Sequence, residues 1–463
     1  MKPTLVIAGA SGFIGRWFIN QYADKYKIRA LSRAEVAPGQ ETNVQWEKVN
    51  LYSLSSTTKA LEGADYALYL VHSMAPSSRL NQGTFEDTDL LLADNFARAA
   101  EIQNLKQIVF IGGILPKDSS KFSTHLRSRF ETEQTLKSRN TPLTAIRAGI
   151  IIGPGGSSFD IVQKLTKRLP VMACPEWCKS PSQPIGIQNM LQIIDKTIGE
   201  DAYYHQALEV GSPEVLSYMN LLEMTARQLG KKRFIFSIPF FTLGFSKLWV
   251  GLFSNSSTTF VGPLIESLKH NMTVDSDKNP FTDIHYKPIE DSIADALKKK
   301  APRLPKRIYE ADEKNTVRSV QRLSNPALMS AAWVADIYPK WLTETFVYIL
   351  KAEEDGDKVR FNFLGMLLLE LSFVAERSDE KRHLFFITGG FLAKRTTYGW
   401  LEFRSVLDNR FIIAAIHEFV PRLPWYLYRF SQAVLHIFVM KWFGRFLEKQ
   451  TKNQKQTNNA SVT

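Results

Sequence analysis

Short apolar runs alternate with amphipathic segments along the first third of the chain. "TLVIAGA" (4–10) reads as a buried strand entering a glycine turn, and "FIGRWFINQYADKY" (13–26) then takes helical spacing. "IRALSR" (28–33) is a second strand, "TTKALEGA" (57–64) a helix and "YALYLVHS" (66–73) a strand. "TDLLLADNFARAAEIQN" (88–104) is a strongly amphipathic helix and "KQIVFIGG" (106–113) another buried strand. "FSTHLRSRFETEQTL" (122–136) continues as a helix ending near Arg139, and "LTAIRAGIIIG" (143–153) is the next strand. Strands that are almost continuously apolar, alternating with helices, predict a parallel sheet covered on both faces, the doubly wound Rossmann arrangement of an α/β protein. Residues 155–295 mix short strands and helices without a clean period.

The pattern changes after "APRLPKR" (301–307), whose prolines and cations mark a linker. "WVADIYPKWL" (333–342) is aromatic without a long period. "FVYILKAE", "KVRFNFLG", "LLLELSFVAE", "RHLFFITGG", "GWLEFRSVL" and "RFIIAAIHEF" follow, β-branched and aromatic, several alternating, with turn residues between them. They predict an antiparallel meander. "LPWYLYRFSQAVLHIFVMKWFGRFL" (423–447) reads as one long apolar helix, so the second domain is expected to be an α+β helix-grip, a curved antiparallel sheet around a helix. The expected division is 1–300 for the first domain including its substrate region, 301–316 for the linker, 317–450 for the second domain and 451–463 for a disordered polar tail.

Composition sharpens this picture in three places. A chain of 463 residues exceeds one ordinary core, and 44% hydrophobic content suffices to bury two. The formal charge of +12 admits an acidic partner, a membrane surface or nucleic acid. Part of it is concentrated in "LKKKAPRLPKR" (297–307), and no nucleic-acid-binding signature accompanies it, so a basic linker is the preferred reading and no nucleic-acid partner is expected. Cys174 and Cys178 exclude a disulfide framework, and neither they nor the histidines have metal-ligand spacing, so no metal is expected. "MKPTLVIAGASG" enters a strand directly, without a signal-peptide pattern. The apolar stretch 238–253 is interrupted by Pro239 and Lys247, too broken to span a bilayer. A loop closing the cleft or a packing surface is preferred for it over a dip into the membrane. A cytoplasmic protein with an optional peripheral membrane contact is expected.

The candidate chemistry starts at "VIAGASGFIGRWF" (6–18). Gly9 permits a tight turn, Gly12 lets the backbone approach a pyrophosphate on the helix N-terminus, and Gly15 lets helix pack on strand. Strand, turn and helix opening the first βαβ unit are the context that gives this triplet weight. Gly9, Ser11, Gly12, Phe13, Ile14 and Gly15 are the expected nucleotide contacts. The second strand ends in Ser32 and Arg33, with no acid to hold ribose hydroxyls. An arginine there suits a 2′-phosphate, so NADP(H) is expected over NAD(H).

"GASGFIG", "VNLYS" (49–53), "YLVHSM" (69–74), "DNFARAA" (94–100), "IVFIGG" (108–113) and "IRAGIIIGPG" (146–155) together resemble the atypical or extended branch of the short-chain dehydrogenase/reductases. The NmrA-like proteins and the NAD(P)H-binding accessory subunit of respiratory complex I belong to that branch. The resemblance covers about the first 300 residues. It implies that Asn50 and Leu51 meet the adenine, although aspartate is commoner than asparagine there, and that Val71 and His72 pass the cofactor. "VRSVQRL" (317–323) through "FVPRLPWYLYRFSQAVLHIF" (419–438) resembles a domain similar to the START/polyketide-cyclase fold.

The family's proton relay is missing. Its tyrosine and lysine fall at His125 and Arg129, and its serine at Gly112 or Gly113. Arg129 can inherit the ribose contact or pair with Glu133 one turn on. His125 can act as acid or base, but the reading as an ordinary helix residue is preferred. Trp333, Tyr338, Trp341, Trp400 and Trp425 either line a pocket for an apolar small molecule or belong to the core. The leading expectation is an NADPH-dependent oxidoreductase or isomerase for an apolar carbonyl, quinone or lipid-like substrate. The alternatives are a non-catalytic NADPH-binding sensor and a membrane-surface assembly factor.

Overall fold

The structure is a computed structural model that describes residues 2–36, 43–73, 80–238, 266, 269–304, 306–308, 316–347, 349–394 and 399–460. The stretch 238–253, apart from Ile238, lies outside the described residues, as does most of the 301–316 linker beyond Ile308. The chain divides into two compact units, Met1–His72 with Asn95–Tyr309, and Ser73–Asp94 with Glu310–Thr463.

The first unit is built on a seven-stranded parallel sheet. Its strands are β1 (Thr4–Ala8), β2 (Lys27–Ser32), β3 (Val44–Lys48), β4 (Tyr66–Tyr69), β5 (Gln107–Gly113), β6 (Leu143–Ala148) and β7 (Ala207–Val210). They lie in the order β3-β2-β1-β4-β5-β6-β7. The order reverses between β1 and β4, and the crevice beyond the carboxyl ends of strands at such a point is where doubly wound sheets bind ligands. Helices cover both faces, which is why the strands read as unbroken apolar runs. On one face Trp17, Phe18 and Ile19 of α1 (Phe13–Tyr22) meet Met190, Leu191 and Ile194 of the helix Ile187–Thr197. On the other, Phe96 packs edge-on against Tyr69 with ring centroids 4.9 Å apart.

The second unit carries the antiparallel meander. Its strands are β8 (Val317–Ser324), β9 (Leu350–Asp355), β10 (Lys358–Phe363), β11 (Met366–Phe373), β12 (Arg382–Gly389), β13 (Trp400–Val406) and β14 (Phe411–Phe419). The order is β9-β10-β11-β12-β13-β14-β8, and the short strand Leu80–Gln82 adds an eighth, parallel to β8. Residues 73–94 therefore do not stay with the first domain, as a boundary near 300 implied. The chain leaves that domain after β4 to add a strand and the first half of the helix Phe85–Ile102 to the second unit. No local pattern marks this, because a three-residue strand is recognisable only by its partner.

The sheet has two unlike faces. On one, Leu401, Phe403, Ile412 and Ala414 pack with Val334, Tyr338 and Trp341 of the helix Ala331–Thr345, and with Met440, Phe443 and Leu447 of the helix Gln432–Ala460. Alternate residues reach the other face. There Glu402 receives Arg382 Nε at 2.7 Å and Arg404 Nη2 at 3.0 Å, and meets His417 Nε2 at 3.1 Å. Arg404 also bonds Asp94 at 2.7 Å, and Arg322 bonds Asp87 at 2.7 Å.

Three expectations are corrected here. "WVADIYPKWL" belongs to a helix, Ala331–Thr345, that tolerates Pro339; its capping serine, Ser330, accepts from Trp333 N–H. The C-terminal apolar segment is not one helix: Trp425–Phe430 ends at Ser431, whose φ −122° and ψ −85° are not helical, before Gln432 restarts it. That second helix runs to Ala460, past the boundary expected at 450.

Candidate functional site

The glycine turn is held by backbone geometry. Gly9 has φ +88°, and a Cβ there would lie 2.9 Å from the carbonyl carbon of Leu70. Only glycine combines that conformation with that proximity. Gly12 N–H donates to Gly9 C=O at 2.9 Å. A Cβ on Gly15 would stand 2.7 Å from the oxygen of Ala10, so its absence brings α1 onto the turn. Gly12 is the N-cap of α1, and no side chain caps the helix there. A Cβ on Gly12 would meet only Gly9 O, at 3.0 Å, among the described residues. The space before the helix N-terminus is thus kept by hydrogen atoms alone, with its N–H groups facing it, a fitting cradle for a diphosphate.

The neighbouring turn residues divide between the open turn and the core. Ser11 is half-buried, Ile14 packs on the main core, and the Phe13 ring lies against the backbone of Gly153 and Gly156. The side chains of Phe13 and Ile14 are therefore committed to packing, and their backbones are what the turn presents. Arg16, which the sequence reading passed over, donates from Nε to Gly12 O at 3.3 Å and from Nη1 to Pro302 O at 3.2 Å. Burial lowers its pKa from the ordinary guanidinium value.

Strand register brings the other expected contacts to the same sheet edge. Ala8 lies beside Leu31 and Tyr69, so the glycine turn, Ser32 and Leu70–Val71 follow one another across it. Ser32 is buried and its Oγ accepts from Ala34 N–H, while Arg33 is exposed. Val49 N–H donates to Ser32 O at 2.9 Å, placing Asn50 next in line. Asn50 shapes its own loop, its Oδ1 accepting from Tyr52 N–H at 3.2 Å. Asn95, buried on its helix, fixes that loop by donating to Leu51 O and Tyr52 O, each at 2.9 Å. The buried polar position inside "DNFARAA" was the available signal for it.

Beyond β4 the expected relay residues do converge. Ser123 caps α2 (Thr124–Lys137), its Oγ accepting from Leu126 N–H. His125, in the first turn, stands edge-to-face with His72, ring centroids 5.1 Å apart. Arg129, buried one turn on, donates from Nη1 to Val71 O at 2.9 Å and from Nη2 to Ile111 O, with Phe110 beneath it at 4.6 Å. It ties the ends of β4 and β5 together. Glu133, the suggested partner of Arg129, takes two bonds from Arg147 of β6, at 3.0 Å and 2.6 Å. Burial opposes the charge on Arg147, yet its bonds to Glu133 leave the guanidinium pKa raised. Glu133 thus meets the sheet, where the Arg147 guanidinium engages both carboxylate oxygens in a two-pronged contact. At Gly113, one of the two candidate positions for the relay serine, a Cβ would come 2.8 Å from Leu126 Cδ2; at Gly112, the other, it would come 3.2 Å from Phe110 Cε1.

The aromatic set does not form one pocket. Tyr338 and Trp341 sit together in the core under the helices, while Trp400 lies on the opposite face of the sheet, stacked on His417 at 4.7 Å. Trp425 packs in a separate cluster with Tyr428 and Phe419. Cys174 and Cys178 are free and buried, and among the described residues no cluster of His, Cys, Asp or Glu could hold a metal ion.

Residues 9–168 match the sequence profile of a family described as NAD(P)H-binding. The N-terminal domain has a Rossmann-type fold, and this stretch of it is similar to NAD(P)H-binding proteins. Auxiliary protein GraX of Staphylococcus aureus is 25% identical over 114 residues, which cover 24% of this chain and 37% of GraX. A nucleoside-diphosphate-sugar epimerase from S. aureus shares the fold at TM-score 0.50 and 12% identity, over 63% of this chain and 99% of the epimerase. The Citrobacter sp. triphenylmethane reductase, solved with NADP(H), aligns at TM-score 0.48 and 15% identity, over 63% of this chain and all of that one (100%). The C-terminal unit carries an α+β arrangement of its own, and no helix among the described residues is long and apolar enough to cross a membrane.

Proposed function

We propose that the protein is an NADPH-dependent oxidoreductase or isomerase acting on an apolar carbonyl compound, quinone or lipid-like molecule. The observation that carries this reading is the meeting of His72 and His125 at the strand ends, on the sheet edge that also bears the uncapped turn. The turn from Gly9 to Gly15 would hold the diphosphate, Arg33 the 2′-phosphate, and Asn50 and Leu51 the adenine. Arg129 positions the β4 and β5 ends through Val71 O and Ile111 O. The bound nicotinamide would supply hydride chemistry, and an imidazole at 125 could move a proton at the substrate oxygen. The second unit, read as a helix-grip domain, would take up or deliver the apolar substrate.

A second reading is supported by the same helix. With glycine at both candidate serine positions and the Leu126 side chain of this helix against Gly113, the nucleotide would serve as a structural element or redox signal in a non-catalytic sensor. One experiment separates the two. Full-length protein is incubated with NADPH and a panel of quinones and enones, and cofactor absorbance is followed beside binding calorimetry. Turnover that disappears in His125→Phe while NADPH binding persists supports the enzyme. Tight binding with no oxidation across the panel favours the sensor, and the absence of NADPH binding overturns both.

A further inference from the structure

The helix Gln432–Ala460 buries one face and exposes another. Ala433, Met440, Phe443 and Leu447 are in the core, whereas Val434, Leu435, Phe438 and Trp442 point outward. The outward positions are spaced as i, i+1, i+4 and i+8, one continuous stripe. Exposure is substantial, 61% for Leu435 and 53% for Phe438. The stripe is not confined to one helix. Phe430 is 76% exposed in the preceding short helix, and Trp442 stacks on Phe346, which leads to Val347 at 64% exposure. Isolated exposed apolar residues need no explanation, but a contiguous aromatic and aliphatic face does.

The same face turns basic along its length. Lys441, Arg445 and Lys449 are exposed on it, Arg429 is exposed at its start, and Glu448 is the acid among these outward positions. A second copy docked face to face would bring these cations near one another, which like charges oppose. A surface that is apolar within and anionic at its boundary meets both halves. We propose that this face lies flat on an anionic phospholipid bilayer, Leu435, Phe438 and Trp442 entering the acyl boundary and Lys441, Arg445 and Lys449 contacting headgroup phosphates. The inference stands apart from the nucleotide site and uses none of its residues.

The test is co-sedimentation of the full chain with vesicles of phosphatidylcholine alone or phosphatidylcholine mixed with phosphatidylglycerol. Binding is expected to the mixed vesicles and to weaken with salt. Leu435→Ser with Phe438→Ser should reduce partitioning by roughly a hundredfold, from the apolar area withdrawn. Lys441→Gln with Arg445→Gln should reduce it by about twentyfold. These positions are exposed, so unchanged circular dichroism and melting are expected in both variants. Separately, Phe438→Cys should react rapidly with a maleimide in vesicle-free protein and be protected by the mixed vesicles. No sedimentation with anionic vesicles, or equal binding by the two double variants, overturns the proposal. So does a Phe438→Cys thiol already protected in free protein, because a second copy or another segment of the chain then covers the face.

Discussion

The glycine turn of the first unit and the charged face of the second are both tightly specified, by opposite means. The turn works by what is missing: a Cβ at Gly9 or Gly15 would strike backbone within 2.9 Å and 2.7 Å. The charged face works by what is present. Glu402, Arg404 and His417 are fully buried; Glu402 meets both of the others, and Arg404 reaches Asp94 across more than three hundred positions. A site made of absences tolerates loss of distant parts of the chain. A network of buried charges does not, since removing one partner strands another in a medium of low polarity.

That contrast is broken most forcefully by cutting the chain. A fragment beginning at residue 316 lacks Asp87 and Asp94, leaving Arg322 and Arg404 without these carboxylates, and lacks the strand Leu80–Gln82. Stranding a buried charge costs roughly 3–5 kcal/mol. The fragment is therefore expected to melt far below the same fragment carrying residues 73–94 through a fused linker, by circular dichroism. Equal melting would show that the network contributes nothing to stability.

Acid should separate the two regions next. Burial pushes His417 and His436 down to about 4, so each is held neutral when folded. The unfolded chain binds those protons near pH 6.5, so stability falls as pH drops from there toward 4, by roughly 3 kcal/mol per histidine at the end of that window. Although its burial favours the neutral acid, Glu402 is held well below the ordinary carboxylate range by Arg404 and Arg382. Its contribution is complete above the unfolded carboxylate pKa and is lost as pH falls further. The C-terminal unit should then unfold at a higher pH than the Rossmann unit, seen as two transitions in an acid titration followed by near-ultraviolet circular dichroism. A single shared transition would refute the difference.

Gly9→Ala tests the turn. A left-handed residue gaining a Cβ costs about 1–2 kcal/mol before its contact with Leu70 is counted. Reduced stability of the first unit with loss of NADPH binding is expected by calorimetry, with the second unit unaffected. The smallest effect belongs to Arg33→Ala. The unmodified protein should bind NADPH more tightly than NADH, and the substitution should narrow that preference by roughly fivefold, in keeping with an exposed charge contact. Equal affinities before substitution would remove Arg33 from the site.

The sequence by itself determined the parallel sheet, the glycine turn and the antiparallel meander. Each is a local pattern: alternating apolar runs, three glycines that form a turn between a strand and a helix, whatever that turn binds, and short β-branched segments between turns. Arg129, Glu133 and His125 could be placed on one helix, but not their partners. Spacing along a helix says which side chains could meet, and burial beside Val71, Ile111 and Arg147 decided which did. The transfer of residues 73–94 to the second unit, the break at Ser431 and the outward stripe of Leu435 and Phe438 were likewise decided in three dimensions. An apolar helix reads the same in one dimension whether a face is covered or bare, because periodicity reports the side chains and not what stands against them.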